Sequence, residues 1–353
     1  MPQSRWFRIS LGLILLLIII NLFNQISFLF VPIYTMAKML LIPFAAAGFF
    51  YYLLRPLVHL WERRGMKRKE ATLLIYVVLT AFTALLMIGL GPMLQSQLNL
   101  FLENVPELLE ALRVQLEHFE ENRFLAAFFP SDSFDLTAKV SDWVNRSITL
   151  ATNYVTGLIS LVTSTLLILT AIPVILYYWL TEGHYAKQAL LDWLPERVNS
   201  VAEELLTEID SVLGEFTIGR IVVCLVVGVM VYAGFLLIGL PYPMLLALFA
   251  MVMNLIPLIG PMIGTIPSFI VAFTESSVMA VWVIVIVVVA KLADNILVSP
   301  QVFSNRMDLH PLTVLLLLII SAEAAGILGM IFVIPVYMVV KIMWLRFRPR
   351  LST

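Results

Sequence analysis

Charge is what this chain is shortest of. Only 13% of its 353 residues are Asp, Glu, Lys or Arg, about half the share found in an ordinary soluble domain. Hydrophobic residues make up 61%, and the mean hydropathy is +0.98. No soluble fold hides that much apolar surface, so lipid is the solvent for much of the chain. A formal net charge of −1 leaves a nucleic-acid partner unsupported, because phosphate binding needs a concentrated basic face. The one cysteine, Cys224, lies inside an apolar run, which excludes a disulfide framework and a thiolate metal cluster. It reads as a small packing residue. His59, His118, His184 and His310 are scattered, and none belongs to a His-Glu-x-x-His pair. Neither a Gly-x-Ser-x-Gly elbow nor a Gly-x-x-x-x-Gly-Lys-Ser/Thr phosphate loop occurs. The expectation is therefore no enzyme, no ATP-driven pump, no cofactor and no metal.

What the chain does have is long apolar runs. A membrane-crossing helix needs about 20 apolar residues, and the sequence predicts spans at 9–31, 34–58, 71–98, 151–180, 216–238 and 278–299. Arg5 and Arg8 precede the first run, but Asn21, Phe23, Asn24 and Gln25 follow it without a small-residue cleavage pattern, so it reads as a retained span. Two more stretches, 244–273 and 312–340, are broken by Gly and Pro. Each is too long for one straight span and too short for two. Both read as helical hairpins that dip into the bilayer and return. The predicted fold is all-α and multi-pass, with about six spanning helices and two re-entrant hairpins in the C-terminal half.

Basic residues orient it. Arg63, Arg64, Lys67, Arg68 and Lys69 crowd the linker 61–70 and should face the cytoplasm. Arg5 and Arg8 at one end, and Lys341, Arg346, Arg348 and Arg350 at the other, ask for the same side. Six spans put both termini in the cytoplasm only if both broken stretches re-enter.

Four regions follow: a transmembrane scaffold over 1–98, an acidic amphipathic extracytoplasmic insertion over 99–150, a span and a cytoplasmic amphipathic helix over 151–215, and a transport core over 216–345. The insertion sets nine carboxylates against Arg113, Arg123, Lys139 and Arg146, a local charge of −5. Its Phe101, Val105, Leu108, Leu109, Leu112, Leu116 and Phe119 recur at helical spacing. That stripe can cover the membrane domain, meet a neighbouring subunit or lie at the interface. A second amphipathic stretch, 195–215, sets Leu205, Leu206, Ile209, Val212 and Leu213 opposite Glu203, Glu204, Glu208 and Asp210. It is expected to lead straight into the fifth span.

The transport core reads as two units of one span plus one hairpin, entering from opposite sides, an inverted repeat with the hairpin tips near mid-membrane. The first hairpin carries Asn254, Pro257, Gly260, Pro261, Gly264 and Pro267 and is expected to close near Ile266 and Pro267. Proline removes a backbone donor and glycine permits close approach, leaving bare carbonyls and amides that a polar solute can use in place of water. The second hairpin holds Gly326, Gly329 and, near its expected break, Ile334 and Pro335. Lys291, Asp294 and Asn295 share one helical face at the end of the sixth span; intramembrane charge points to a protein interior or a watery route. Glu323, beside Ser321 in an apolar stretch, reads as a group that handles protons or cations, or one that accepts hydrogen bonds without titrating.

These residues resemble a known family. Phe216, Gly219, the run 240–247, the motif from Asn254 through Pro257, Gly260, Pro261 and Gly264 to Pro267, then Asp294-Asn295 with Pro300, His310-Pro311, and Gly326 and Gly329 leading to Pro335 look like the signature half of the autoinducer-2 exporter (AI-2E) family, the PerM-like permeases. The resemblance implies a multi-pass permease of the bacterial plasma membrane that exports small polar molecules such as autoinducer-2. It also implies homo-oligomers, with some relatives acting as sodium/proton antiporters. Two positions depart from the family pattern: Lys291 where Gln is frequent, and Ser321-Ala322-Glu323 where glycine-rich sequence commonly stands.

The leading expectation is an exporter working by alternating access, with Asn254 and the backbone at Gly260 and Gly264 on the solute, and with Lys291, Asp294 and Glu323 setting charge and coupling protons. A sodium/proton antiporter is the alternative within the transport class. A membrane scaffold or receptor using the acidic insertion is the alternative of another class.

Overall fold

A computed structural model describes residues 27–120, 166–303 and 309–347, together with Leu11, Gly12, Ile14, Leu15 and Ile18, which are helical. Most of the first predicted span, residues 121–150 of the insertion, the start of the fourth span, and Arg348 and Arg350 lie outside the described residues. Among the described residues there is no strand. The helices are α1 (Ser27–Glu62), α2 (Arg68–Glu120), α3 (Leu166–Asp192), α4 (Glu196–Leu237), α5 (Pro243–Met253), α6 (Gly260–Glu275), α7 (Ser277–Ala293), α8 (Ser299–Val302) and α9 (Pro311–Phe347). Four helical segments among the described residues are long and apolar enough, by length and composition alone, to cross a membrane: Arg68–Leu108, Val198–Leu237, Ser277–Val302 and Pro311–Arg346, the last of them kinked within its length.

Several boundaries differ from the sequence reading. From Ser27 onward α1 runs through Pro32 without a break, so no turn separates spans at 31–34. α2 continues through the boundary drawn at residue 98 as one helix of 53 residues, about 80 Å at 1.5 Å per residue. Residues 99–120 of the predicted insertion thus continue that helix. Its stripe covers the chain's own core: Phe101, Leu108 and Leu112 pack into a cluster with Val231, Phe235, Val271 and Val283 from α4, α6 and α7. The amphipathic stretch from 196 and the fifth span are a single helix, α4.

The hairpins close elsewhere than proline alone suggested. The first reverses over Asn254–Ile259, and Pro267 sits inside α6. α9 breaks at Ala325 and Gly326, while Pro335 is inside its second leg. A proline removes only one donor, and neighbouring helices can re-satisfy what it frees. Gly326, by contrast, takes φ 62° and ψ −146°, a region close to glycine-only. The chain doubles back there, because Gly329 lies against the Ser321 carbonyl, a residue that a straight helix would place about 12 Å away.

Two cores result. Ala47, Leu54 and Val58 of α1 pack with Ala71 and Ile75 of α2 and Leu176 and Leu180 of α3. The C-terminal half has its own clusters. Arg55 on α1 pairs with Asp210 on α4 at 2.5 Å, and Phe49 meets Phe332 edge-on. Gln97 on α2 accepts the Leu245 N–H at 3.0 Å, satisfying one of the orphan donors at the start of α5.

Candidate solute site

The site is built where α4 passes the first hairpin. α5 and α6 pack at backbone distance because glycine lines the crossing: a Cβ on Gly260 would fall 2.0 Å from the Met253 carbonyl oxygen, and one on Gly264 would fall 2.8 Å from Ala250 Cα. Small residues are what allow helices to associate where lipid offers no hydrophobic drive. At the tip, Leu258 takes φ 63°, which is uncommon for a residue with a branched side chain and marks local strain. Pro261 stands in the first turn of α6, where its missing N–H costs nothing.

The tip carbonyls are only partly bare. Arg220, buried on α4, donates from Nε to the Leu255 carbonyl at 3.2 Å and from Nη2 to the Asn254 carbonyl. One guanidinium therefore clamps two peptide groups that the end of α5 leaves outside its ladder. The Asn254 side chain is 1% exposed, yet neither its Oδ1 nor its Nδ2 has a hydrogen-bond partner among the described residues. Ser268 Oγ on α6 is in the same position. Buried polar groups are rarely left so, and each unmade bond costs about 1–3 kcal/mol.

Asp294 completes the neighbourhood through a local irregularity. α7 ends at Ala293 and the chain makes a π-helical turn over Asp294–Val298. Such turns shift register by one residue and are frequent at functional sites. Here the turn brings Ser299, five residues on, over Asp294: its N–H returns to the Asp294 carbonyl, and its hydroxyl donates to Oδ1 at 2.7 Å. Lys291 Nζ donates to Oδ2 of the buried carboxylate. Asp294 lies within electrostatic reach of Arg220, and Cys224 is within reach of Arg220, Asp294 and Lys291. Gly219 lets Val302 and Phe303 close against α4 beside it.

The structure thus gathers Asn254, Pro257, Gly260, Pro261 and Gly264 at one tip, with Lys291 and Asp294 near by. Asn295 is exposed, since it follows Asp294 directly and so points about 100° around the helix from it. Pro267 and Pro335 are half-buried inside their helices. Gly326 and Gly329 form the second kink, and Glu323 stands exposed just before it. The sequence reading missed Arg220. Its signal was there: a lone arginine four residues after Phe216 inside the fifth span, where charge is costly.

The family description "AI-2E family transporter" matches residues 13–348. The chain is 29% identical over 348 residues to the "Putative transport protein YueF" of Bacillus subtilis, covering 98% of this chain and 94% of the relative. It is 28% identical over 347 residues to the "Putative transport protein YrrI" of the same organism, covering 97% and 95%. To the "Putative permease PerM" of Escherichia coli it is 27% identical over 316 residues, with 86% of each chain covered.

Proposed function

The chain belongs to the AI-2E family of membrane transporters, and from that footing we propose that its C-terminal half carries a small polar solute of the autoinducer-2 kind past the Asn254 tip. The supporting observation is the Asn254 amide, buried beside the Arg220 clamp with neither polar atom paired among the described residues. An amide so placed offers one donor pair and one acceptor, the pattern that reads a neutral hydroxylated or carbonyl-bearing solute.

In this reading both hairpins are re-entrant, six helices span, and both termini face the cytoplasm of a bacterial cell. The hairpins move against the scaffold of α1–α3 to alternate access. The spanning part of α2 is apolar and almost bare, with Val77, Phe82, Leu85, Met87 and Ile88 all more than half exposed; lipid and a second copy of the chain share that face in a homo-oligomer. Lys291 and Asp294 set the local charge, and Glu323 exchanges protons.

The test is counterflow in proteoliposomes with a neutral diol and with sodium. Asn254→Leu is expected to cut diol flux at least about tenfold while leaving thermal stability unchanged or higher, since replacing an unpaired buried polar group by an apolar one of similar size removes a penalty. Full flux in Asn254→Leu sinks the site, and sodium flux without diol flux selects the antiporter reading. Glu323→Gln is expected to flatten the pH dependence of flux. An unchanged profile rejects coupling at that carboxyl.

A further inference from the structure

An open cleft of about 1020 Å³ lies between the first third of α4 and the last turns of α9. Glu204, Glu208 and Val212 line one wall, and Met338, Lys341 and Leu345 the other. Val212 and Met338 also belong to an apolar cluster beyond the cleft floor, where they join Phe216 from α4, Ile256 from the first hairpin, and Leu318 and Ile334 from the two legs of the second. All six are under a tenth exposed. Ile256 directly follows the two carbonyls that Arg220 clamps. Along α4, Glu208, Val212, Phe216 and Arg220 follow at four-residue steps, a stripe that winds slowly around the helix, and the climb from Val212 to Arg220 is about 12 Å.

We infer that this cluster is the gate on the cytoplasmic route to the site: the cleft is its vestibule, and Val212, Phe216, Ile256, Leu318, Ile334 and Met338 form a dry collar that is shut in this structure. The inference rests on the transport reading above and specifies how that site is closed. Apolar constrictions block ions and polar solutes because such species must shed water with nothing to replace it. The collar draws one residue from the first hairpin, three from the legs of the second, and its wall from α4. A shift of the second hairpin off α4 therefore opens it without breaking the Arg220 clamp.

Cys224 is the only cysteine. It is buried one turn beyond Arg220, which makes it a reporter on the far side of the collar. The experiment measures labelling of reconstituted protein by a membrane-impermeant charged methanethiosulfonate, added from either side. Thr207→Cys, a vestibule position placed in a Cys224→Ala background, is expected to react promptly from one side only. Cys224 in the otherwise native chain is expected to stay unreactive. Leu318→Ser with Ile334→Ser is expected to speed Cys224 labelling at least about tenfold by wetting the collar, and only from the side that reaches Thr207→Cys. If that pair does not fold, Leu318→Ala carries the same expectation, read on protein whose unfolding temperature is measured alongside. A protected Thr207→Cys, Cys224 labelling no faster in a folded collar variant, or equal labelling from both sides overturns the gate. If labelling behaves as expected but the native protein moves neither diol nor sodium, the gate stands and the transport reading fails.

Discussion

Arg220→Met is expected to abolish solute flux, by the order of 100-fold that displacing a recognition group typically costs, while changing thermal stability by only a few degrees. Two opposing effects set the second half of that expectation. Losing the guanidinium orphans the Asn254 and Leu255 carbonyls that it now satisfies, at about 1–3 kcal/mol each. Removing a charge from a buried position also relieves a desolvation penalty of several kcal/mol. Global stability therefore moves little, but the tip loses its tether. Amide exchange over 254–259 should rise selectively, with α2 and α3 unaffected. Arg220→Lys keeps the charge but has a single flexible donor group in place of a fork that spans two carbonyls, so intermediate flux is expected. Native flux in Arg220→Met, measured in proteoliposomes, would remove the clamp from the mechanism.

Gly260→Ala and Gly329→Ala should be nearly as damaging, for a steric reason. The added methyl would lie 2.0 Å from the Met253 carbonyl oxygen in the first case and 2.4 Å from the Ser321 carbonyl oxygen in the second. Both obstacles are backbone, so only the hairpin itself can yield. Overpacking of this kind costs about 1–3 kcal/mol, and the strain falls on the first hairpin, which carries the Asn254 amide, in one case and on the second hairpin in the other. Lower unfolding temperature and lost flux are expected for both. Gly89→Ala is the control, since nothing lies within 4 Å of its added methyl. In the middle of α2 it should be neutral or stabilise by up to about 1 kcal/mol. Equal behaviour of all three variants would mean that backbone contact at Gly260 and Gly329 does not hold the hairpins in shape.

The two hairpins were legible in the sequence as regions but not as geometries. Gly and Pro crowd both stretches, and the eye falls on proline because it forbids a hydrogen bond. The chain turned instead at Asn254–Ile259 and at Ala325–Gly326, while Pro267 and Pro335 were absorbed into helices. The same holds for α2, where a change from apolar to acidic composition suggested a boundary that the helix ignores. Composition marks where water begins, not where a helix ends.

Membrane residence, the all-helical class and the family were fixed by the amino acids alone, because the cost of moving a side chain into lipid depends mainly on that side chain, and twenty apolar neighbours add up whatever they later touch. The candidate site was decided only by tertiary structure. Arg220 and the carbonyls it holds are 34 and 35 residues apart, Gly329 meets a carbonyl eight residues behind it, and the collar draws on three separate elements. In a bilayer every broken backbone group needs a partner, and which partner arrives is settled by which helices come to lie side by side.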